Sequence, residues 1–429
     1  MVGMGPGGKG YFALDITDTE KPSHLFTFEN NPVDRIVSFW NADGDKLDYS
    51  YKQGESIEDY DYSNLGSAYS SPYILRMGID GTDKWVAVFG GGYNMGINKY
   101  ASSVFVVDLE DGGSINENKG GKLIKDINLV DKTQKERAPS LNKDIVALSS
   151  VWAGDGFNKQ FEVTFPYDNK SDIGVYVDNQ KTDFTWINKY FIEIDGDNAP
   201  IKDARIEIKG PKILDEEINN SVPTRLSMLL TDNISEEFDS ANYKGAMFYA
   251  LDIEGKVWKI DMTGDTASFK KNILFDGEAD TYNQRHSFHQ ITIDMIEDNN
   301  IGVYFGTGNM KKIGLVDEQR FKDKNLSDGK KEELKIRNRV YGIKDKKFPE
   351  FIEIDDSSEK NSLTNQDYEK GSLSINKCSK NSCPKDSDLG WYSNLNDGSG
   401  TKEIKNDKVT GKILIFNDTL HVPRYAASY

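Results

Sequence analysis

The chain has 429 residues, 37% of them hydrophobic and 11% aromatic, with 38 glycines and 12 prolines. That length admits several ordinary domains or one large repeat architecture, and many glycine turns with few prolines suit a chain of short strands. With 53 basic against 70 acidic residues the net charge is −17, which argues against a nucleic-acid partner because phosphate binding needs a basic face, and no stretch approaches the ~18 apolar residues of a membrane span.

Met1–Pro6 has neither the basic nor the apolar region of a signal peptide, so the sequence is expected to be a fragment of a longer protein. Strand patterns then dominate. Gly10–Ile16 alternates aromatic and aliphatic residues and ends at Asp15. Asn41-Ala42-Asp43-Gly44-Asp45-Lys46-Leu47-Asp48 follows. It offers oxygens at Asn41, Asp43, Asp45 and Asp48 and a carbonyl at Leu47, the alternating donors that Ca²⁺ takes from a tight loop. It reads equally as a polar Asp-Gly turn.

Trp85–Gly92 and Ser103–Leu109 are strong strands, the second ending at Asp108. Between about 128 and 220 lie Phe161–Phe165, Gly174–Val177 and Tyr190–Ile194, which predict a β-rich insertion. That insertion holds a third acidic run, Asp195-Gly196-Asp197-Asn198 with Asp203. Met247–Ile253 repeats the first signature at Asp252, and Val340–Asp345 repeats it more weakly. His286 and His289 fall in a segment that alternates like a strand, which places them on opposite faces rather than on one metal. Ser327–Arg337 is the best helix candidate. Cys378 and Cys383, five apart in a polar loop, read as a local disulfide in an oxidising compartment or as free thiols.

Spacing turns the signature into an architecture. Asp15 and Asp108 are 93 residues apart, as are Asp252 and Asp345, with 144 between the pairs. Half of 93 is about 46, near the length of one four-stranded propeller blade. Trp85–Gly92 and Gly302–Gly308 form a second repeat, each ending in Phe-Gly-x-Gly. The expected fold is therefore all-β, a single propeller domain over 1–429 with the inserted segment 128–220.

These motifs, in order, resemble the C-terminal propeller of the PilC/PilY family of type IV pilus tip proteins. The resemblance rests on Gly7–Thr17, on Leu65–Pro72 followed by Trp85–Asn94, and on Phe248–Asp261. Tyr304–Gly308, Val340–Ile343 and Gly390–Tyr392 follow in the family's order. It implies a modified seven-bladed β-propeller without enzyme activity. It also implies roles in pilus biogenesis, retraction control and twitching motility, and adhesion. The partners would be minor pilins or the tip complex and a host-cell or surface receptor. The location would be extracellular, at the pilus tip or bacterial cell surface, reached through the periplasm. The family's calcium loop falls on Leu230–Ser240, where Asp232, Glu236 and Asp239 offer carboxylates. Ile234 stands where a side-chain ligand is expected, and Glu237 stands where glycine is.

Two alternatives remain open. One is a pyrroloquinoline quinone-type propeller dehydrogenase. Ala250-Leu251-Asp252 with Trp258 approaches its blade repeat, but Glu254-Gly255 replaces Thr-Gly, and Cys378 and Cys383 are not adjacent. The other is a structural extracellular propeller with no pilus role. Hydrolase chemistry finds no Gly-x-Ser-x-Gly elbow and no phosphate-binding glycine loop.

Overall fold

Side chains that alternate between two faces build strands, and the alternating segments do so throughout. The computed structural model of the protein describes residues 1–5, 7–51, 58–94, 100–110, 120–130, 147–212, 220–233, 242–277, 286–296, 300–308, 338–346, 348, 363–364, 390–395 and 407–425. Among the described residues the fold is nearly all β, with no α-helix and three short 3-10 turns. The expected helix at Ser327–Arg337 lies outside them.

The chain divides into two compact units, Met1–Arg76 with Lys84–Pro223 and Met77–Asp83 with Thr224–Tyr429. The first sheet runs in chain order through β1 (Val2–Gly3), β2 (Gly10–Asp15), β3 (Ser23–Asn31), β4 (Ile36–Trp40) and β5 (Lys46–Ser50). The second runs through β6 (Tyr73–Ile79), β7 (Thr82–Gly90), β8 (Ser103–Asp108) and β9 (Leu123–Asn128). Their shared core is aromatic. Phe28 stacks on Tyr62 at 3.7 Å between centroids, and Tyr11 packs on Phe89 at 4.2 Å.

The segment from β10 (Ala147–Ala153) through β11 (Gln160–Glu162), β12 (Gly174–Val177), β13 (Gln180–Thr182), β14 (Phe184–Trp186), β15 (Phe191–Ile194) and β16 (Arg205–Lys212) forms its own two sheets. The second unit then repeats the two-sheet plan. Its first sheet joins β17 (Ser227–Asn233), β18 (Asn242–Leu251), β19 (Lys256–Thr263) and β20 (Lys270–Asp276). Its second orders β21 (Thr292–Met295), β22 (Ile301–Gly306), β23 (Arg339–Asp345) and β25 (Gly390–Asn394). The intervening β24 (Leu363–Thr364) pairs parallel to β20, while every other strand pair described is antiparallel. Near the C-terminus β26 (Lys408–Val409) pairs with β29 (Arg424–Tyr425), and β27 (Leu414–Phe416) with β28 (Thr419–His421).

At Asp15, Asp108 and Asp252 the repeated Asp makes an Asx turn, its carboxylate accepting the backbone N–H two residues on. Asp15 accepts Thr17 N–H, Asp108 accepts Glu110 N–H, and Asp252 accepts Glu254 N–H, each at 2.9 Å. Asp252 also takes the indole N–H of Trp258 at 2.9 Å, so that Trp's place after the signature is set by the Asp.

The spacing has a different cause from two blades of 46 residues. β2 and β18 are second in their sheets, whereas β8 and β23 are third in the sheets that follow. Each interval of 93 therefore joins neighbouring sheets at unequal positions, and the repeating unit is a pair of sheets.

The Phe-Gly-x-Gly repeats mark a close backbone approach at equivalent places in the two units. A Cβ on Gly90 would stand 2.6 Å from the Val222 carbonyl oxygen, and one on Gly306 would stand 2.2 Å from a Val409 methyl. In the first unit Gly92 N–H donates to Val222 at 3.0 Å, and in the second Val409 N–H donates to Thr307 at 3.1 Å. A buried serine locks each glycine: Gly90 N–H donates to the Ser70 hydroxyl, and the Ser287 hydroxyl donates to the Gly306 carbonyl. Only glycine lets two backbones meet this closely. Gly90→Ala is expected to lower stability by about 1–3 kcal/mol through overpacking. Gly7, with nothing within 4 Å of its Cβ position, should tolerate Ala within about 0.5 kcal/mol. Denaturant titration of both variants checks the contrast.

Candidate functional site

The sandwich at 147–212 has its own core. Val163, Phe165, Val175, Ile192, Ile206 and Ile208 are fully buried and belong to one cluster. The four-stranded sheet (β10-β16-β12-β13) and the three-stranded sheet (β11-β15-β14) each turn an alternating apolar face to it. Ser150 and Thr164 bond across the sandwich at 2.7 Å, and the Trp152 indole donates to the Glu162 carbonyl at 2.9 Å.

One residue of that core comes from outside it. Val33, in the turn between β3 and β4, is buried in the sandwich cluster. Charged pairs surround it. Lys9 meets Glu162 at 2.6 Å, Arg35 meets Asp168 at 3.2 Å, and Lys189 pairs with Asp34. The Tyr190 hydroxyl also donates to Asp34, and Asn31 donates to it at 2.8 Å. Arg35 holds a positive φ of 57° to make this turn. Partly exposed pairs contribute roughly 0–1 kcal/mol each, so the docking rests on a single apolar plug within a polar ring. Burial pushes the Asp34 carboxyl up, but the bonds from Lys189 and Tyr190 and the Lys189 charge outweigh it and hold the pKa below its usual value.

Beside this contact lies a cavity of about 30 Å³. Lys9, Tyr93, Asn94 and Tyr100 face it from the side of the first two sheets, and Trp152 and Thr164 from the sandwich. Its size suits a few waters. The Gly90–Gly92 crossing sets its wall, since Tyr93 and Ser67 exchange backbone bonds at 2.8 and 3.1 Å just after it.

The calcium candidates do not converge. Asn41 is buried and closes a β4–β5 hairpin turn, accepting Asp45 N–H at 2.9 Å and Gly44 N–H at 3.1 Å. Leu47 and Asp48 lie on β5, opposite Phe39 and Ser38. Asp48 is bound by the Ser38 hydroxyl and by Lys46 at 2.9 Å. The candidate oxygens are thus divided between the turn and β5 and partly used by the turn's own donors. Asp232 lies on β17 opposite Tyr243, at a register shift. Glu236, Asp239, Cys378 and Cys383 lie outside the described residues. The run at Asp195 is a turn in which Gly196 gives its carbonyl to Lys159 at 2.7 Å. Among the described residues no group of three or more His, Cys, Asp or Glu side chains is placed to hold a metal. His286 and His289 sit in an irregular segment rather than a strand, and His286 bonds the Ile253 carbonyl at 2.9 Å.

The docking contacts escaped the sequence because their partners lie far apart, Arg35 and Asp168 by 133 positions. One signal was present: Pro32-Val33, two apolar residues in a hairpin turn that is otherwise polar. Residues 145–216 match the family described as the phage T7 tail fibre protein, N-terminal domain. That range brackets the sandwich. No curated protein and no solved structure matches the chain.

The depressed Asp34 pKa makes docking pH-dependent. Its contribution is complete above the unfolded value of about 3.9 and is lost as pH falls through the folded value. Asp34→Asn should therefore lower the melting temperature of the full chain near neutrality, and the difference should shrink below about pH 4. A difference unchanged across that range would show that Asp34 does not clamp the sandwich.

Proposed function

We propose that the chain is a non-enzymatic binding protein of a surface filament, of the type IV pilus tip kind, acting outside the cytoplasm. In this reading its four meander sheets are blades of a seven-bladed propeller, and the inserted sandwich is the part presented to a partner. The observation that carries it is the glycine crossing at Gly90–Gly92. It is built from the segments that resemble the pilus-tip family, Leu65–Pro72 and Trp85–Asn94, and the sandwich is docked beside it. Among the described residues no helix is long and apolar enough to cross a membrane.

The match at 145–216 favours a second reading, in which the chain is a virion fibre component exposed outside the cell. Deleting the gene separates the two. Loss of surface pili, twitching and adhesion supports the pilus-tip reading. Normal piliation, with the protein found in purified phage particles, supports the other.

Calcium control belongs to the pilus reading and is assigned in it to the Asp232–Asp239 segment, since Asn41 spends its oxygens on the turn's backbone and Asp48 is held by Ser38 and Lys46. Calorimetric titration with Ca²⁺ is expected to give a binding isotherm that Asp232→Ala abolishes and Asp43→Ala leaves intact. An isotherm sensitive only to Asp43→Ala would move the site to the turn, and no heat of binding would remove calcium from the proposal.

A further inference from the structure

A row of polar side chains crosses the core face of the sheet β17-β18-β19-β20. Ser227 faces Tyr249, Tyr249 faces Lys259, and Lys259 faces Asn272, each pair in register on neighbouring strands. Asp345 reaches this row from β23. Its Oδ2 lies 2.7 Å from Lys259 Nζ and accepts the Tyr249 hydroxyl at 2.7 Å. All four are nearly inaccessible: Tyr249 is 0% exposed, Lys259 and Asp345 1%, and Asn272 2%. Met247, Leu251, Val257, Leu274 and Ile343 make the surrounding core, and the Phe348 ring lies 5.9 Å from Lys259 Nζ.

Asn272 stands out within this row. Neither its amide nitrogen nor its amide oxygen makes a hydrogen bond. Native proteins seldom bury an amide in that state without a use for it. Its Cβ lies about 4.5–5.5 Å from that of Lys259, as for any directly opposed pair, well within the reach of a lysine stem. An amine and a carboxylate in contact, and a carboxamide directly opposite the amine's strand position, thus share one buried face.

We propose that Lys259 and Asn272 join in an intramolecular amide crosslink, with Asp345 as the proton carrier. Asp345 takes a proton from the Lys259 ammonium along their 2.7 Å bond, which frees the nitrogen lone pair. Nζ attacks Cγ of Asn272, and the carbonyl π bond opens. Asp345 returns its proton to the Asn272 amide nitrogen. The carbonyl reforms, the Cγ–Nδ2 bond breaks, and the nitrogen leaves with the second proton shed by Nζ, as ammonium. No electrons change hands, and no outside reagent is needed. The Tyr249 hydroxyl orients Asp345 through their shared bond, which makes Tyr249 a positioning residue. The crosslink would tie β19 to β20 across the turn between them.

The intact mass of the purified, folded full chain tests this. The expected result is a chain lighter by one ammonia. Trypsin should then fail to cut after Lys259 and should yield one branched peptide joining Lys259 to Asn272. Asn272→Ala and Lys259→Met should each restore the full mass. Asp345→Asn should leave the link unformed, with folding of each variant checked by circular dichroism. Full unreacted mass in the folded wild-type chain, with Lys259 and Asn272 on separate peptides, would overturn the proposal. So would an ammonia loss that persists in Lys259→Met, since that loss does not involve the Lys259 amine.

Discussion

Both units depend on one steric constraint: a second stretch of backbone passes within bonding distance of the end of an inner strand. Val222 runs against Gly90–Gly92, and Val409 against Gly306–Gly308. A side chain at these glycines would occupy the space of the crossing chain. The crossing also ties the strand end to residues more than a hundred positions away, which local sheet pairing cannot do. Around it the rest is ordered. Ser70 and Ser287 sit on the glycines, and the aromatic core of the first two sheets closes over Phe89, next to Gly90.

The two-sheet unit explains what could be read in the sequence and what could not. Period-two alternation is a local property, so the strands at Gly10, Ser103, Met247 and Val340 were legible from single segments. The Asx role of Asp15, Asp108 and Asp252 is also local, since the turn bond runs to the residue two places on. The size of the repeat was not legible, because the signature occupies the second strand of one sheet and the third of the next. Equal spacing of 93 therefore hid unequal positions. The Asn41 loop has the composition of a calcium loop, yet its oxygens close a hairpin turn and flank it on β5. Composition does not say which oxygens the backbone has already taken. The Lys259–Asp345 pair was out of reach for another reason: its members are far apart in sequence, and the motifs that hold them say nothing of their meeting.

The two polar clusters differ in kind. The ring around Val33 is partly exposed, so each pair is weak and solvent competes for it. Such a contact can hold a module with its own core without fusing it to the sheets beneath. The row at Lys259 is buried, where an ion pair repays its desolvation only with good geometry and further hydrogen bonds. Tyr249 supplies one of those bonds, while Asn272 has none. That contrast separates a docking contact, open to pH and salt, from a site shielded from both.

Hydrogen exchange resolved to single amides tests the central constraint most directly. If the glycine crossings anchor each unit, Gly92 N–H and Val409 N–H will exchange only with global unfolding of their own unit. The amides of 147–212 will then form a separate protected set. Exchange of Gly92 and Val409 at the rates of open turns, while the neighbouring strands stay protected, would contradict the account.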